Sequence, residues 1–138
     1  MNVRCTLIDG SFHEVDSSEI AFRIAASMCF KSAFQKAVPK LLEPLMAIEV
    51  TTSEDYLGAV TGSIVTKRGK ILDMDIKNGT RIVKAQVPLA EMFGYTNELR
   101  NISSGRASAS MYFDHYEVVP FSIAEEIVEK RRNGKNGK

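Results

Sequence analysis

LDMDIKNGTRIVKAQV, residues 72–87, is the stretch that decides the fold. Apolar and polar residues alternate on both sides of Asn78-Gly79, the dipeptide that most strongly favours a two-residue hairpin turn. The alternating apolar positions are Leu72, Met74 and Ile76 before the turn and Val83, Ala85 and Val87 after it. This pattern predicts two antiparallel strands that turn one face toward a core.

The flanking segments add one strand and one helix on each side of the hairpin. Before it, residues 46–50 alternate as a strand, and Ser53-Glu54-Asp55 opens a helix. After it, Pro88 opens a second helix, Gly105 stops that helix, and residues 107–113 alternate as a final strand. The side chains assigned to the buried side of the second helix are Leu89, Met92, Phe93 and Leu99. The order β-α-β-β-α-β predicts an α+β fold of the ferredoxin-like type.

The second face of the predicted sheet is mostly polar. Its residues are Ala47, Glu49, Asp73, Asp75, Lys84, Gln86, Ser108, Ser110 and Tyr112. Such a face meets water or a neighbouring domain, because the two helices cover only the other side. A free-standing RNA-recognition module stacks bases on aromatic side chains of its central strands, and this face offers Tyr112 alone.

The first segment of the chain reads differently. Alternation over residues 3–8 predicts a strand that runs into the Asp9-Gly10 turn. Asp16 and Glu19 have capping-box spacing, and the helix that they open is predicted to reach Ala37. Because that helix is apolar or small outside one polar stripe, it needs more cover than one or two strands can provide. This segment is therefore predicted to be part of a domain.

Composition indicates a globular chain of one ordinary domain or two small ones, with 138 residues, 44% hydrophobic and 25% charged. No apolar run approaches the ~20 residues needed to cross a bilayer, and the N-terminus lacks the apolar core of a signal peptide. A cytoplasmic location and no membrane partner are expected. Cys5 and Cys29 have no CxxC spacing and are expected to be reduced.

The net charge of +1 hides an asymmetry. Residues 130–138 carry five Lys or Arg and no acid, so the rest of the chain has 13 basic against 17 acidic residues, a net charge of −4. Nucleic acid would therefore be contacted through a local basic site or the tail, not through an overall positive field. The short, glycine-rich tail is expected to be unfolded.

The sequence indicates neither catalysis nor metal binding. His13 and His115 are far apart, and neither stands at metal-ligand spacing or in a nucleophile signature. A lone histidine of this kind is more often an exposed or structural residue. The phosphate-binding pattern GxxxxGK[ST] does not occur in the sequence.

Five sequence segments resemble, in their order and spacing, the C-terminal end of translation elongation factor G. They are DGSFHEVDSSEIAF, LLEPLMAIEVTTSEDYLGAVTGSI, RGKILDMD, VPLAEMFGYTNELR and FDHYEVVP. The resemblance implies that residues 1–40 are the C-terminal part of the family's fourth domain, an α/β domain like domain 2 of ribosomal protein S5. It implies that residues 41–121 are the ferredoxin-like fifth domain, and that residues 122–138 are a C-terminal helix and basic tail. The family's GTP-binding domain precedes this region, so the chain is expected to be a fragment.

The resemblance also implies a function, because this family promotes translocation of tRNA and mRNA on the ribosome. The implied partners are ribosomal RNA, the tRNA–mRNA duplex in the decoding site and the stalk-base proteins. GTP and Mg²⁺ belong to the GTP-binding domain, so the chain itself is expected to hold no cofactor and to catalyse no reaction. It is expected to be a monomer.

Two groups of site residues follow from the resemblance. Gly10, Ser11, Phe12 and His13 match the tip loop that enters the decoding site, and Arg100, Asn101 and Ser104 match the contact with the sarcin-ricin loop. The family commonly has serine and glutamine where this chain has Asn101 and Ser104. A glycine turn can approach an RNA backbone closely, and an imidazole can bond a phosphate or stack on a base. Arg100 also suits a helix C-terminus for electrostatic reasons alone.

Three alternatives share parts of this pattern. A related translational GTPase, of the ribosomal-protection or organellar type, has the same C-terminal domains. A regulatory ferredoxin-like module would bind a small metabolite instead. An acylphosphatase-like enzyme has the same topology, but TTSEDY at residues 51–56 places acids where its phosphate would bind.

Overall fold

A computed structural model describes residues 3–135, and the chain divides into two units between Pro39 and Lys40. Among the described residues of the first unit, one helix forms, α1 (Glu19–Lys36). The second unit contains β1 (Leu42–Thr52), α2 (Leu57–Thr66), β2 (Lys70–Lys77), β3 (Thr80–Pro88), α3 (Tyr95–Ile102), β4 (Ser108–Val118) and α4 (Phe121–Lys135). Short 3-10 turns precede α2 and α3.

The second unit is built on one antiparallel sheet with the strand order β2-β3-β1-β4. The central strands β1 and β3 pair in a continuous register, with Ile48 opposite Ala85 and Val50 opposite Val83. The predicted element order and the ferredoxin-like α+β class are confirmed.

The β2–β3 hairpin forms at the predicted dipeptide. Lys77 pairs with Thr80, and the two residues between them have positive φ angles, 53° for Asn78 and 76° for Gly79. This is the turn whose twist matches that of the flanking strands, and asparagine and glycine adopt it with the least strain.

The core lies between one face of the sheet and the two helices α2 and α3. Its buried members are Ile48, Val50, Val60, Ile64, Val83, Ala85, Val87, Met92, Tyr95 and Leu99. On the other face Glu49 pairs with both Lys84 and Ser110, which confirms the predicted polar face. Burial of each large aliphatic side chain contributes about 1.5–3 kcal/mol, so these central residues dominate the stability of the unit.

The edge strand β2 is less covered than its alternation predicted. Leu72, Met74 and Ile76 are 53%, 55% and 58% exposed. The register shifts between Ile71 and Asp73, which leaves Leu72 without an opposite residue. Alternation reports which side of a strand is apolar, but it does not report whether a helix reaches that side.

The second long helix starts later than predicted. It begins at Tyr95 rather than at Pro88, after a 3-10 turn and after Gly94, whose φ of 79° redirects the chain. Phe93 lies before the helix begins and is 79% exposed, so its assignment to the buried side is wrong. Leu99, one turn into the helix, is buried as predicted.

Two expectations for the first unit are wrong. Residues 3–8 form no strand, because the alternation there meets no partner strand with which to exchange hydrogen bonds. The N-cap of α1 is Ser18, whose Oγ accepts a hydrogen bond from the Ala21 N–H at 3.2 Å, and not Asp16. No residue of α1 is buried.

The basic tail was expected to be unfolded, and for residues 130–135 this is wrong, because they complete α4. Lys130 pairs with Glu126 one turn earlier at 2.6 Å, and Arg132 and Lys135 lie in the last turn, where the helix dipole favours cations. Residues 136–138 lie outside the described part of the chain.

The turn from α2 to β2 is closed by backbone hydrogen bonds and leaves no room at Gly69. The Gly69 N–H donates to the Ile64 carbonyl at 3.0 Å, and the Arg68 N–H donates to the Val65 carbonyl at 3.2 Å. A Cβ atom on Gly69 would lie 2.5 Å from Cγ2 of Ile64 and 2.9 Å from Cγ2 of Val87.

Gly69→Ala should therefore lower the free energy of unfolding by about 1–3 kcal/mol, the range for overpacking a core. Gly62→Ala is the matched control, because Gly62 is helical and an added Cβ there meets nothing within 4 Å. The control should raise stability by about 0.5–1 kcal/mol. Urea unfolding of both variants checks this, and equal midpoints would contradict the crowding at Gly69.

Candidate nucleic-acid interface

The turn between α3 and β4, residues 100–107, is closed by two backbone hydrogen bonds. The Gly105 N–H donates to the Arg100 carbonyl at 2.9 Å, and the Arg106 N–H donates to the Ser103 carbonyl at 3.0 Å. Ser104 and Gly105 have positive φ angles of 51° and 77°. This is the Schellman type of helix end, in which a left-handed residue reverses the chain and satisfies the last carbonyls.

A buried serine holds this turn from inside. Ser103 is 0% exposed, its hydroxyl donates to the Leu99 carbonyl at 2.5 Å, and the same oxygen accepts from the Ala107 N–H at 3.1 Å. The hydroxyl thus joins the end of α3 to the chain that enters β4. Ser103 was not among the residues predicted from the sequence, although its place just before Ser104-Gly105 was visible there.

The three predicted site residues of this turn lie together on its surface. Arg100, Asn101 and Ser104 are all exposed. Within residues 3–135, Arg100 forms no salt bridge, whereas Arg68 and Arg81 are each bound to glutamate. Arg100 is thus a cation at a helix C-terminus with its guanidinium open to solvent, which suits a phosphate ligand.

The helix α3 that carries Arg100 is tied to α2. Lys67 Nζ lies 2.9 Å from Oε2 of Glu98 and 5.9 Å from the ring centre of Tyr95. The Tyr95 hydroxyl and Ser63 Oγ are 3.2 Å apart. Burial raises the pKa of Tyr95, and the hydrogen bond with Ser63 opposes that rise. The Lys67–Glu98 ion pair and the hydrogen bond between Ser63 and Tyr95 thus join α2 to α3.

Arg68 joins the turn after α2 to β1 and to the 3-10 turn before α3. Its Nη1 and Nη2 atoms donate to the two carboxylate oxygens of Glu43 at 2.9 and 3.0 Å, and Nε lies 3.4 Å from Oε1 of Glu91. The hydrogen bond with Glu43 is the main cause of the raised pKa of Arg68. Its φ is 59°, so this ion pair holds a left-handed residue that is not glycine.

The other predicted group, Gly10, Ser11, Phe12 and His13, forms an exposed loop in the first unit. The Gly10 N–H donates to Oδ1 of Asp9 at 2.7 Å. The His13 N–H donates to Oγ of Ser17 at 2.7 Å, and the Ser17 N–H donates to the His13 carbonyl at 3.0 Å. Local turns therefore shape this loop, and the His13 and Phe12 side chains remain available at its surface.

The described residues also bear on metal sites, membrane-spanning helices and metabolite pockets. Among residues 3–135, no three His, Cys, Asp or Glu side chains gather as a potential metal site, and no helix has the length and apolar character needed to span a membrane. An open groove between α2 and β2 is lined by Leu57, Gly58, Thr61, Gly62, Val65, Ile71 and Met74. Its one polar side chain, Thr61, already donates to the Leu57 carbonyl at 2.9 Å. Metabolite sites have several convergent polar groups, which this groove lacks.

The two units match, in chain order, two modules of one class of protein, the elongation factors of translation. A family model described as "Elongation factor G, domain IV" matches residues 1–38, and one described as "Elongation factor G C-terminus" matches residues 40–127. Because the second model alone covers more than half of the chain, the chain belongs to the elongation factor G family.

The chain is also similar to a protein of known structure. The crystal structure of ttk003000868 from Thermus thermophilus is 39% identical in sequence, with a TM-score of 0.76. The match covers 91% of this chain and 19% of that one. The chain thus spans about a fifth of the length of the solved protein that it matches.

Two neighbouring serines of the turn should respond to mutation in opposite directions. Ser103→Ala removes both hydrogen bonds of the Ser103 hydroxyl and should lower the free energy of unfolding by about 1–3 kcal/mol. Ser104→Gly relieves a left-handed serine and should raise it by about 1 kcal/mol. Thermal melting of both variants is the measurement. A stable Ser103→Ala variant would contradict the role of this hydroxyl in closing the turn.

Proposed function

We propose that this chain is the C-terminal, ribosome-contacting part of a translational GTPase that promotes movement of tRNA and mRNA on the ribosome. The observation that carries the proposal is the exposed α3–β4 turn, whose Arg100 forms no salt bridge within residues 3–135, in a chain whose two units both match elongation factor G. A ribosomal-protection factor with the same C-terminal domains is the nearest alternative.

The α3–β4 turn would contact the sarcin-ricin loop of the large ribosomal subunit. Arg100 can bind a phosphate with two parallel hydrogen bonds, and its planar group can also stack on a base. Asn101 and Ser104 can donate to or accept from the RNA backbone beside it. Closure of the turn by its own hydrogen bonds means that little order must be gained on binding.

The loop of residues 10–13 would contact RNA in the decoding site. Gly10 carries no side chain that would keep an RNA backbone away, and a Cβ atom placed on it would meet nothing within 4 Å. His13 can donate to a phosphate or a 2′-hydroxyl, and Phe12 can stack on a base. No proton transfer is assigned to His13.

Energy for the movement would come from a GTP-binding domain elsewhere in the factor. This chain contains no GxxxxGK[ST] pattern, so GTP and Mg²⁺ would bind outside it and the chain would catalyse no step. Its partners would be ribosomal RNA, the tRNA–mRNA duplex and the stalk-base proteins. We place the factor in the cytoplasm as a monomer.

Arg100→Ala in the full-length factor should weaken ribosome binding by about 1–3 kcal/mol. Arg100→Lys should bind between the wild type and the alanine variant, because lysine keeps the charge but not the two-point geometry. Filter binding across a salt series checks this, with Arg81→Ala as the control because Arg81 is paired with Glu54. Equal binding by wild type and Arg100→Ala would refute the contact.

His13→Ala in the full-length factor should slow translocation while leaving GTP hydrolysis and the melting temperature close to those of the wild type. The reason is that His13 is exposed and its ring forms no hydrogen bond with the described residues, so its loss removes a contact with RNA and not one within the protein. Rapid-mixing kinetics on ribosomes give the rate. Glu14→Gln, in the adjacent turn, is the control, and an unchanged rate for His13→Ala would exclude the residue from the mechanism.

A further inference from the structure

Resting on the proposed function, we propose that Arg106 is a second RNA-binding arginine of the α3–β4 turn, which contacts the same RNA segment as Arg100. The two residues bracket the turn, one in the last helical turn and one just after Gly105. The site would thus be a pair of guanidinium groups on one rigid turn.

The backbone keeps the two arginines in a fixed relation. The Arg100 carbonyl accepts from Gly105, and the Arg106 N–H donates to Ser103, so each arginine supplies a backbone group to the closed turn. Ile102, two residues after Arg100, and Ala107, next to Arg106, pack against the core. The stems of the two side chains therefore start from positions that the core fixes.

Charge around the turn favours an anionic partner. Residues 99–113 contain Arg100 and Arg106 and no acid. Glu98, the acid that precedes them, is bound to Lys67, and Arg106, like Arg100, is exposed and forms no salt bridge within residues 3–135. In a chain whose remainder outside the tail is net acidic, this turn is a local concentration of positive charge.

RNA fits this pair better than an acidic peptide does. The backbone N–H groups of Gly105 and Arg106 are used within the turn, so the ligand must be bound by the guanidinium groups themselves. Two planar groups on a short turn can bind two phosphates of one strand, or one phosphate and one base face. An acidic peptide offers carboxylates alone, whereas RNA offers both phosphates and base faces, so RNA can use both binding modes of the planar groups.

The test is ribosome binding by the full-length factor with Arg106→Gln, Arg100→Gln and the double variant, across a salt series. Arg106→Gln should lower affinity about tenfold at low salt. It should also reduce the slope of log K against log salt by about 0.7–0.9, and the double variant should reduce it by about twice that amount. Arg106→Lys should recover most of the slope but less of the affinity. Lys84→Gln on the open sheet face is the matched loss of one exposed charge and should leave both quantities unchanged.

The outcomes distinguish failure of the Arg106 contact from failure of the proposed function. Loss of binding in Arg100→Gln with wild-type affinity and slope in Arg106→Gln overturns the second arginine and leaves the proposed function standing. Wild-type binding by the double variant overturns both. A lower melting temperature for Arg106→Gln with an unchanged salt slope assigns the residue to the fold and also overturns the inference.

A second measurement identifies the partner. Iron tethered to Arg106→Cys, in a factor whose other cysteines are replaced by serine, should cleave the same segment of large-subunit RNA as iron tethered to Arg100→Cys. Iron at Lys84→Cys should not cleave that segment. Cleavage of a ribosomal protein with no RNA cleavage from position 106 overturns the RNA assignment.

Discussion

The packing of α2 and α3 against the central strands β1 and β3 is the constraint on which the second unit depends. The two helices cover one face of the four-stranded sheet, and on that face the residues of the central strands are buried while those of the edge strands are partly exposed. Val50, Val83 and Val87 are fully buried, whereas Met111 of the edge strand β4 is 45% exposed. The buried side chains that stabilise the unit are therefore concentrated in the central strands. The turns at the ends of the strands are exposed and can contact other molecules.

The arrangement at the end of α3 follows from that packing. Leu99 is buried in the core, which places the next residue, Arg100, on the exposed side of the same helix. The core thus fixes the direction of the helix, and Ser103 fixes where it stops. A surface arginine on a helix end that the core and a closed turn hold in place loses little freedom on binding an anion.

The sequence predicted most of the second unit, because its main signals are local. Asn78-Gly79 set a turn by its backbone preferences, and the alternation on either side set the faces of two strands. The sequence assignments were wrong where a local pattern does not show the partner strand or the start of the helix. Residues 3–8 alternate without a partner strand, and Phe93 was assigned to a helix that begins two residues later.

Parts of the candidate site could not be predicted for the same reason. The hydroxyl of Ser103 matters because Leu99 and Ala107 are brought to it by the turn, and sequence spacing does not show this. The bond between Arg68 and Glu43 joins residues 25 positions apart in the chain. Arg100 was identified through the resemblance of a sequence segment to the family. The structure adds a physical reason why it could bind an anion, because Arg100 is exposed and has no acidic partner among the described residues.

The two candidate RNA sites differ in what orders them, and this difference bears on how each could act. The α3–β4 turn is held by the core of its own unit, so its geometry is set before any contact is made. Among the described residues, the loop of residues 10–13 is held by short-range hydrogen bonds to Asp9 and Ser17, and the helix after it has no buried residue. A helix that is apolar on most sides requires cover that residues 3–39 do not supply. Because Ser17 directly precedes Ser18, the N-cap of α1, a change that unfolded the start of α1 would alter the hydrogen bond at His13 without affecting the turn that carries Arg100.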